Sequence, residues 1–218
     1  MTGLVVAMDG PSGSGKSSVS RGVAQALGLR YLDTGAMYRA MTWWMLDQGV
    51  DLADPVAIAA RCGEPGIESG TDPAAPAIRV DGVDVAGPIR QSEVTGAVSA
   101  VAAVPEVRMR LVGLQREIIG AGDIVVEGRD IGTVVWPTAP VKVYLTASAE
   151  ARAMRRSAEV AGSTVEAQQA AMARRDTLDS TRKTDPLSMA AGAVELDTTP
   201  LTLEEVIAEV LRLVKERT

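Results

Sequence analysis

The 218-residue chain has no histidine, no asparagine and no phenylalanine, and only one cysteine, Cys62. Without histidine there is no Ser-His triad, no imidazole acid or base step and no His-ligated zinc. Without asparagine an NKxD guanine-reading motif is impossible. A single cysteine excludes an internal disulfide and every CxxC metal or redox pair, which points to a reducing cytoplasm. No apolar run approaches the roughly 20 residues that a membrane span needs. The opening MTGLVVAMDG has neither the basic segment nor the cleavage site of a secretory signal. These absences lead us to expect a cytoplasmic protein that does not bind membranes.

The remaining composition is that of a folded domain. At 46% hydrophobic and 23% charged, the chain is long enough to bury a sizeable core. Its net charge of −6 repels polyanions, so no nucleic-acid partner is expected. The 22 basic residues are 18 arginines and 4 lysines. A GC-rich genome accounts for that bulk bias, but not for where particular arginines sit.

The pattern along the chain alternates strands and helices. Leu4 to Met8 is a short continuous apolar run ending in Asp9-Gly10, which reads as a buried parallel strand. Helical spacing over 17–27 ends at Gly28, a second strand is expected over 29–32, and a helix over 34–49. From about 62 to 91 the sequence turns rich in Gly, Pro and Asp, and Val80-Asp81-Gly82-Val83 carries a hairpin signal, which predicts a small antiparallel β insertion. Helices are expected over 92–103 and after Pro105, and strands over 124–126, 141–145 and 193–196. Two more helices fit 149–161 and 164–180, and a capping box at Thr202 and Glu205 starts the last. The economical architecture is α/β, a five-stranded parallel sheet flanked by helices. We expect one domain over 1–218, with a core of about 1–61, 92–148 and 188–218, the insertion at 62–91 and a helical lid at 149–187. No exposed apolar stripe stands out, so a monomer is expected.

Gly10-Pro11-Ser12-Gly13-Ser14-Gly15-Lys16-Ser17 matches GxxxxGK[ST] between an apolar strand and a helix, the context that a phosphate-binding P-loop requires. Glycines let backbone N–H groups curl around a phosphate, and the helix N-terminus adds about half a positive charge. Lys16 can reach β- and γ-phosphates and the Ser17 hydroxyl can ligate Mg2+, with Ser18 next in line. The motif establishes a nucleoside triphosphate site. It does not by itself separate a kinase from an ATP-binding switch. No Walker B aspartate is clear; the nearest acid is Glu127, after Ile124-Val125-Val126.

Further segments carry a family pattern: DGPSGSGKSS at 9–18, YLDTGAMYRA at 31–40, VAGPIRQSEV at 85–94, VSAVAAVPEVR at 98–108, EGRDIGTVVWPTAPVKVYLTAS at 127–148 and RRDTLDSTRKTDPL at 174–187. With these the chain resembles, over essentially its whole length, the bacterial cytidylate (CMP) kinases of the nucleoside monophosphate kinase family. The resemblance implies a P-loop kinase fold and transfer of the γ-phosphoryl group of ATP to CMP or dCMP with Mg2+. It implies that Arg39 and Arg129 hold the acceptor phosphate, with Thr34 beside them. Ser99, Arg108 and Asp130 would read cytosine, and Asp179, flanked by Arg175 and Arg182, would hold the sugar, Arg175, Asp179 and Arg182 falling at i, i+4 and i+7 on one face of a helix.

Arg152, Arg155 and Arg156 fall on one face of the expected lid helix, where the family closes arginines over the transferred group. Lys16, Arg39, Arg129, Arg155 and Arg156 are the expected catalytic set. Asp33, at the end of the second strand, is a candidate for holding Mg2+ through water or for orienting the acceptor. Thr34 and Glu127 stand where serine and aspartate are frequent in the family.

Overall fold

The computed structural model describes residues 3–159 and 164–218. The chain runs β1 (Val5–Asp9), α1 (Lys16–Leu27), β2 (Arg30–Asp33), α2 (Thr34–Asp47) and α3 (Pro55–Arg61). Three short strands follow, β3 (Ile67–Ser69), β4 (Ile78–Val80) and β5 (Val83–Asp84), then α4 (Ser92–Ala102) and α5 (Pro105–Ile119). The second half contains β6 (Ile124–Glu127), β7 (Val141–Thr146), α6 (Ala149–Glu159), α7 (Val165–Thr181), β8 (Val194–Asp197) and α8 (Leu203–Arg217).

The main sheet has five strands in the order β2-β6-β1-β7-β8, and every pair is parallel. β1 and β6 are buried on both faces and are apolar up to their closing carboxylates, whereas β7 and β8 alternate apolar with polar, more exposed residues. Val5, Ala7, Leu32 and Val126 face one core layer with α2, α4 and α5, whereas Val6, Met8, Val125 and Val143 face the other with α1 and α8. The register places Asp33 beside Glu127, and Glu127 beside Met8, the residue before Asp9. Asp33, Glu127 and Asp9 therefore close three neighbouring strands at the carboxyl edge of the sheet, where open α/β sheets bind ligands.

The predicted insertion forms a separate antiparallel sheet, β3-β4-β5. Asp81 and Gly82 both have positive φ, 50° and 79°, as a two-residue type I′ hairpin demands. The 71–73 segment returns to the core: the Thr71 carbonyl accepts from the Tyr31 N–H at 2.9 Å, and the Pro73 carbonyl from Arg21 Nε at 3.0 Å. That contact covers the open edge of β2.

Element boundaries shift slightly from the expectation. The second strand is Arg30–Asp33, the second helix stops at Asp47 and the seventh runs to Thr181. Residues 160 and 161, expected to extend the lid helix, lie outside the described residues. Three elements were not anticipated, one of them a 3-10 turn at Pro88–Arg90. Helix α3 is started by Asp54, which accepts from Val56 N, and by Pro55 at the first position. Ile131–Val135 forms a π-helical turn, in which the Trp136 N–H reaches the Ile131 carbonyl at 2.7 Å.

Candidate active site

The P-loop leaves β1 at Gly10, whose φ is +144°, and a Cβ there would lie 2.1 Å from the Leu145 carbonyl oxygen. Only glycine allows the chain to turn so close to β7. Residues 12–18 line a cavity of about 660 Å3, with Gly10 and Pro11 behind them at the root of the loop. Lys16 is buried, and its Nζ donates to the Pro11 carbonyl at 2.6 Å and to Ser14 Oγ at 3.4 Å. Burial pushes the ammonium pKa down and nearby Arg129 adds to this, against Glu127 and Asp9.

On the carboxyl edge, Glu127 accepts from the Tyr31 hydroxyl, and the neighbouring Ser17 hydroxyl favours its charged form. Burial, then the neighbouring Asp33, pushes its carboxyl up, against the pull of Lys16. Asp33 caps α2, accepting from Ala36 N at 2.9 Å. Thr34 Oγ1 donates to the Glu127 carbonyl at 2.7 Å, and a Cβ on Gly128 would sit 2.6 Å from Thr34 Oγ1. The Ser17 hydroxyl with the Asp33 and Glu127 carboxylates is a hard oxygen set. It fits Mg2+, which takes one or two protein carboxylates and keeps water and phosphate for its other positions. Among the described residues, no three acidic, cysteine or histidine side chains form an all-protein metal cage.

Asp9 joins the donor loop to the loop after β6. Its Oδ1 accepts from Ile131 N at 2.7 Å and its Oδ2 from Gly132 N at 2.8 Å. Gly128 N donates to the Met8 carbonyl at 3.0 Å, and Arg129 Nη1 to the Gly10 carbonyl at 3.1 Å. Burial pushes the Asp9 carboxyl up to about 6, although the two N–H groups pull it down. Sequence reading noted Asp9 only as the end of an apolar run. A carboxylate closing a buried strand was the available signal.

Along the cavity wall, arginines crowd together. Arg129 Nε pairs with Asp179 Oδ2 at 3.1 Å, and Ser99 Oγ donates to Asp179 Oδ1 at 3.1 Å. Burial raises the Asp179 carboxyl, but Arg129 and Arg175 outweigh it and hold it below the usual range. Arg39 Nη1 donates to Thr95 Oγ1 at 2.9 Å. Burial, with Arg156 and Arg129 nearby, pulls the Arg39 pKa down to about 10. Burial, then Arg129 and Arg39, pulls that of Arg175 down to about 9. The buried Nε of Arg175 has no hydrogen-bond partner among the described residues. A cluster with more cations than anions costs energy until an anion enters it.

Deeper in, Arg108 is 2% exposed and pairs with Asp130, which also lies 3.5 Å from Arg182. Burial lifts the Asp130 carboxyl in spite of both arginines. The Arg108 guanidinium stands over the Tyr38 ring, 5.6 Å from its centre.

The structure brings the candidates from Thr34 and Arg39 to Asp179 and Arg182, with Arg155 and Arg156, onto the wall of the cavity that the P-loop lines. Two placements differ from expectation. Arg182 does not continue the helix face of Arg175 and Asp179, because α7 ends at Thr181 and Arg182 is its extended capping residue. Arg152 points to the back of the P-loop, donating to the Ser12 carbonyl at 3.1 Å and pairing with Asp176. Arg155 donates to the side chain and carbonyl of Thr198 at 2.8 and 2.7 Å, and Thr198 Oγ1 donates to the Ser14 carbonyl at 3.2 Å. Thr198, Asp176 and Thr95 had no motif to single them out.

A parallel sheet carrying a P-loop, with a cluster of arginines lining the same cavity, defines a P-loop kinase of small acceptors. Shikimate kinase from Acinetobacter baumannii shares the fold at a TM-score of 0.52 with 15% identity, covering 99% of this chain and 94% of that one. The chain belongs to the cytidylate kinase family, whose sequence model it matches over residues 6–216. It is 62% identical to the cytidylate kinase of Streptomyces coelicolor and 59% to that of Streptomyces avermitilis, each alignment covering 98% of this chain and 94% of the relative.

Proposed function

We propose that the protein transfers the γ-phosphoryl group of ATP to CMP and dCMP, with Mg2+, as a cytoplasmic monomer that binds neither nucleic acid nor membrane. The observation that carries this reading is the under-neutralised cluster of Arg39, Arg129 and Arg175 in the cavity that the P-loop lines. A switch that only binds ATP needs no second anion site.

In this reading the P-loop N–H groups and Lys16 hold the donor phosphates. Arg39 and Arg129, with Thr34, hold the acceptor phosphate. Ser99, Arg108 and Asp130 read the base, and Asp179 with Arg175 and Arg182 hold the sugar. Ser17, Asp33 and Glu127 would hold Mg2+, which when bound supplies charge neutralisation between the phosphates. The acceptor oxygen is already an anion, so no base is needed and the lack of histidine costs nothing. This chain's part in catalysis is alignment and fixed positive charge from Lys16, Arg39, Arg129, Arg155 and Arg156. The α6–α7 lid and the β insertion are the parts that exclude water, without which ATP would be hydrolysed.

Cytosine offers an amine donor, which a carboxylate accepts, beside the O2 and N3 acceptors, which arginine and serine satisfy. An ADP-release assay with Mg-ATP and CMP, dCMP, UMP or AMP tests the reading. Turnover led by CMP and dCMP is expected. Turnover led by UMP or AMP would overturn the base-reading roles, and ATP binding without acceptor-dependent ADP would leave only a switch.

A further inference from the structure

Asp185 has no place in the roles above, yet it is the residue that holds both arginines of the base pocket. Its Oδ2 lies 2.7 Å from Arg108 Nε. Its carbonyl accepts from Arg182 Nε at 2.6 Å. The other ends of both guanidinium groups are directed at Asp130. Asp185 achieves this at φ +48°, a left-handed conformation that is uncommon outside glycine, although Asp tolerates it better than most residues. The segment is anchored at its far end by Leu187 N, which donates to the Asp179 carbonyl at 2.8 Å.

We propose that Asp185 is a positioning residue that sets acceptor specificity by tuning Asp130 through Arg108. Without Asp185, two arginines would draw on the single carboxylate of Asp130. With it, charges in the group balance, two against two, and Arg108 is shared between two carboxylates. Asp130 then keeps lone-pair capacity for an exocyclic amine. Holding Arg108 at Nε also fixes the guanidinium plane, so that its Nη edge faces Asp130 and the base. A pyrimidine with an amine at that position is favoured, and one with a carbonyl oxygen there meets a carboxylate and is rejected. The proposal rests on the base-reading roles given to Arg108 and Asp130.

The test is the ratio of kcat/KM for CMP over UMP in Asp185→Ala, Asp185→Gly and Arg108→Lys, each with its thermal midpoint. Asp185→Ala is expected to lower the ratio about tenfold, chiefly by raising the KM for CMP, with the KM for ATP unchanged. Asp185→Gly removes the same carboxylate but relieves the backbone, so the ratio should fall as far even where stability is kept. If Arg108→Lys lowers the ratio while both Asp185 variants keep it, the proposal fails and the base-reading roles stand. If Arg108→Lys also leaves the ratio unchanged, those roles fail and the proposal with them.

Discussion

Arg129, in the loop after β6, pairs through Nε with Asp179 Oδ2 on α7 at 3.1 Å. The contact joins the sheet to α7, and it sets a carboxylate against the arginine cluster. Asp179→Ala should therefore destabilise the protein by roughly 2–3 kcal/mol in urea unfolding, because it strands a partly buried cation among others. The KM for CMP should rise more than that for ATP. A double-mutant cycle with Arg129→Ala measures the pair itself, with a coupling of about 1–2 kcal/mol expected. A coupling within error of zero would show that the two residues act independently.

Lys16 is buried against the loop that it serves, and its charge is disfavoured there. Lys16→Ala removes a desolvated cation together with two hydrogen bonds, to Pro11 and Ser14. The effect on folding should be small, whereas turnover should drop on the order of 10^3-fold or more, since a fixed donor to the transferred group is lost. Circular dichroism melts alongside steady-state kinetics separate the two. Wild-type turnover in a folded Lys16→Ala variant would rule out the P-loop assignment.

Much of this was legible in the sequence because its signals are local. The P-loop spacing, the Val80-Asp81-Gly82-Val83 hairpin and the Thr202–Glu205 capping box each need only a few consecutive residues, and each formed as read. The residues proposed for the acceptor pocket come from family resemblance. No periodicity brings Ser99 to Asp179, 80 positions away, or Arg129 to Gly10, 119 away. The links made by Asp9, Thr198 and Asp185 were missed for the same reason. Each is a single polar residue whose partners are set by the tertiary fold. The π-helical turn at Ile131–Val135 was missed because its sequence is apolar and β-branched, and Asp9 holds its start from another strand.

Asp33 has two separable jobs, a cap for α2 and a charge beside Glu127 and Ser17. Asp33→Asn keeps an oxygen for the Ala36 N–H and removes the charge. Its stability should stay within about 0.5 kcal/mol of wild type, asparagine being as good a cap as aspartate. Its half-saturating Mg2+ concentration at fixed ATP should rise several-fold. Asp33→Ala should lose about 1 kcal/mol in addition. Equal Mg2+ dependence in all three proteins would assign Asp33 to capping alone.

Asp9 supplies a pH test of the link between donor and acceptor loops. Its carboxyl titrates near 6 in the folded protein, against about 4 when unfolded, so between those values the folded state binds more protons. The stability that Asp9 contributes is therefore complete below about pH 4 and is lost as pH rises through 6. Glu127 is shifted in the same direction. The wild-type slope thus mixes both groups, and the difference between wild type and Asp9→Asn isolates Asp9. That difference should fall by roughly 2–3 kcal/mol between pH 4 and 7, one shifted unit being worth about 1.4 kcal/mol. Asparagine offers one oxygen to the two N–H groups of Ile131 and Gly132 and turns its amide toward the other. The 128–132 loop should then loosen and the KM for CMP rise several-fold. A stability difference flat with pH would place the Asp9 titration elsewhere, and an unchanged KM for CMP would uncouple Asp9 from the acceptor loop.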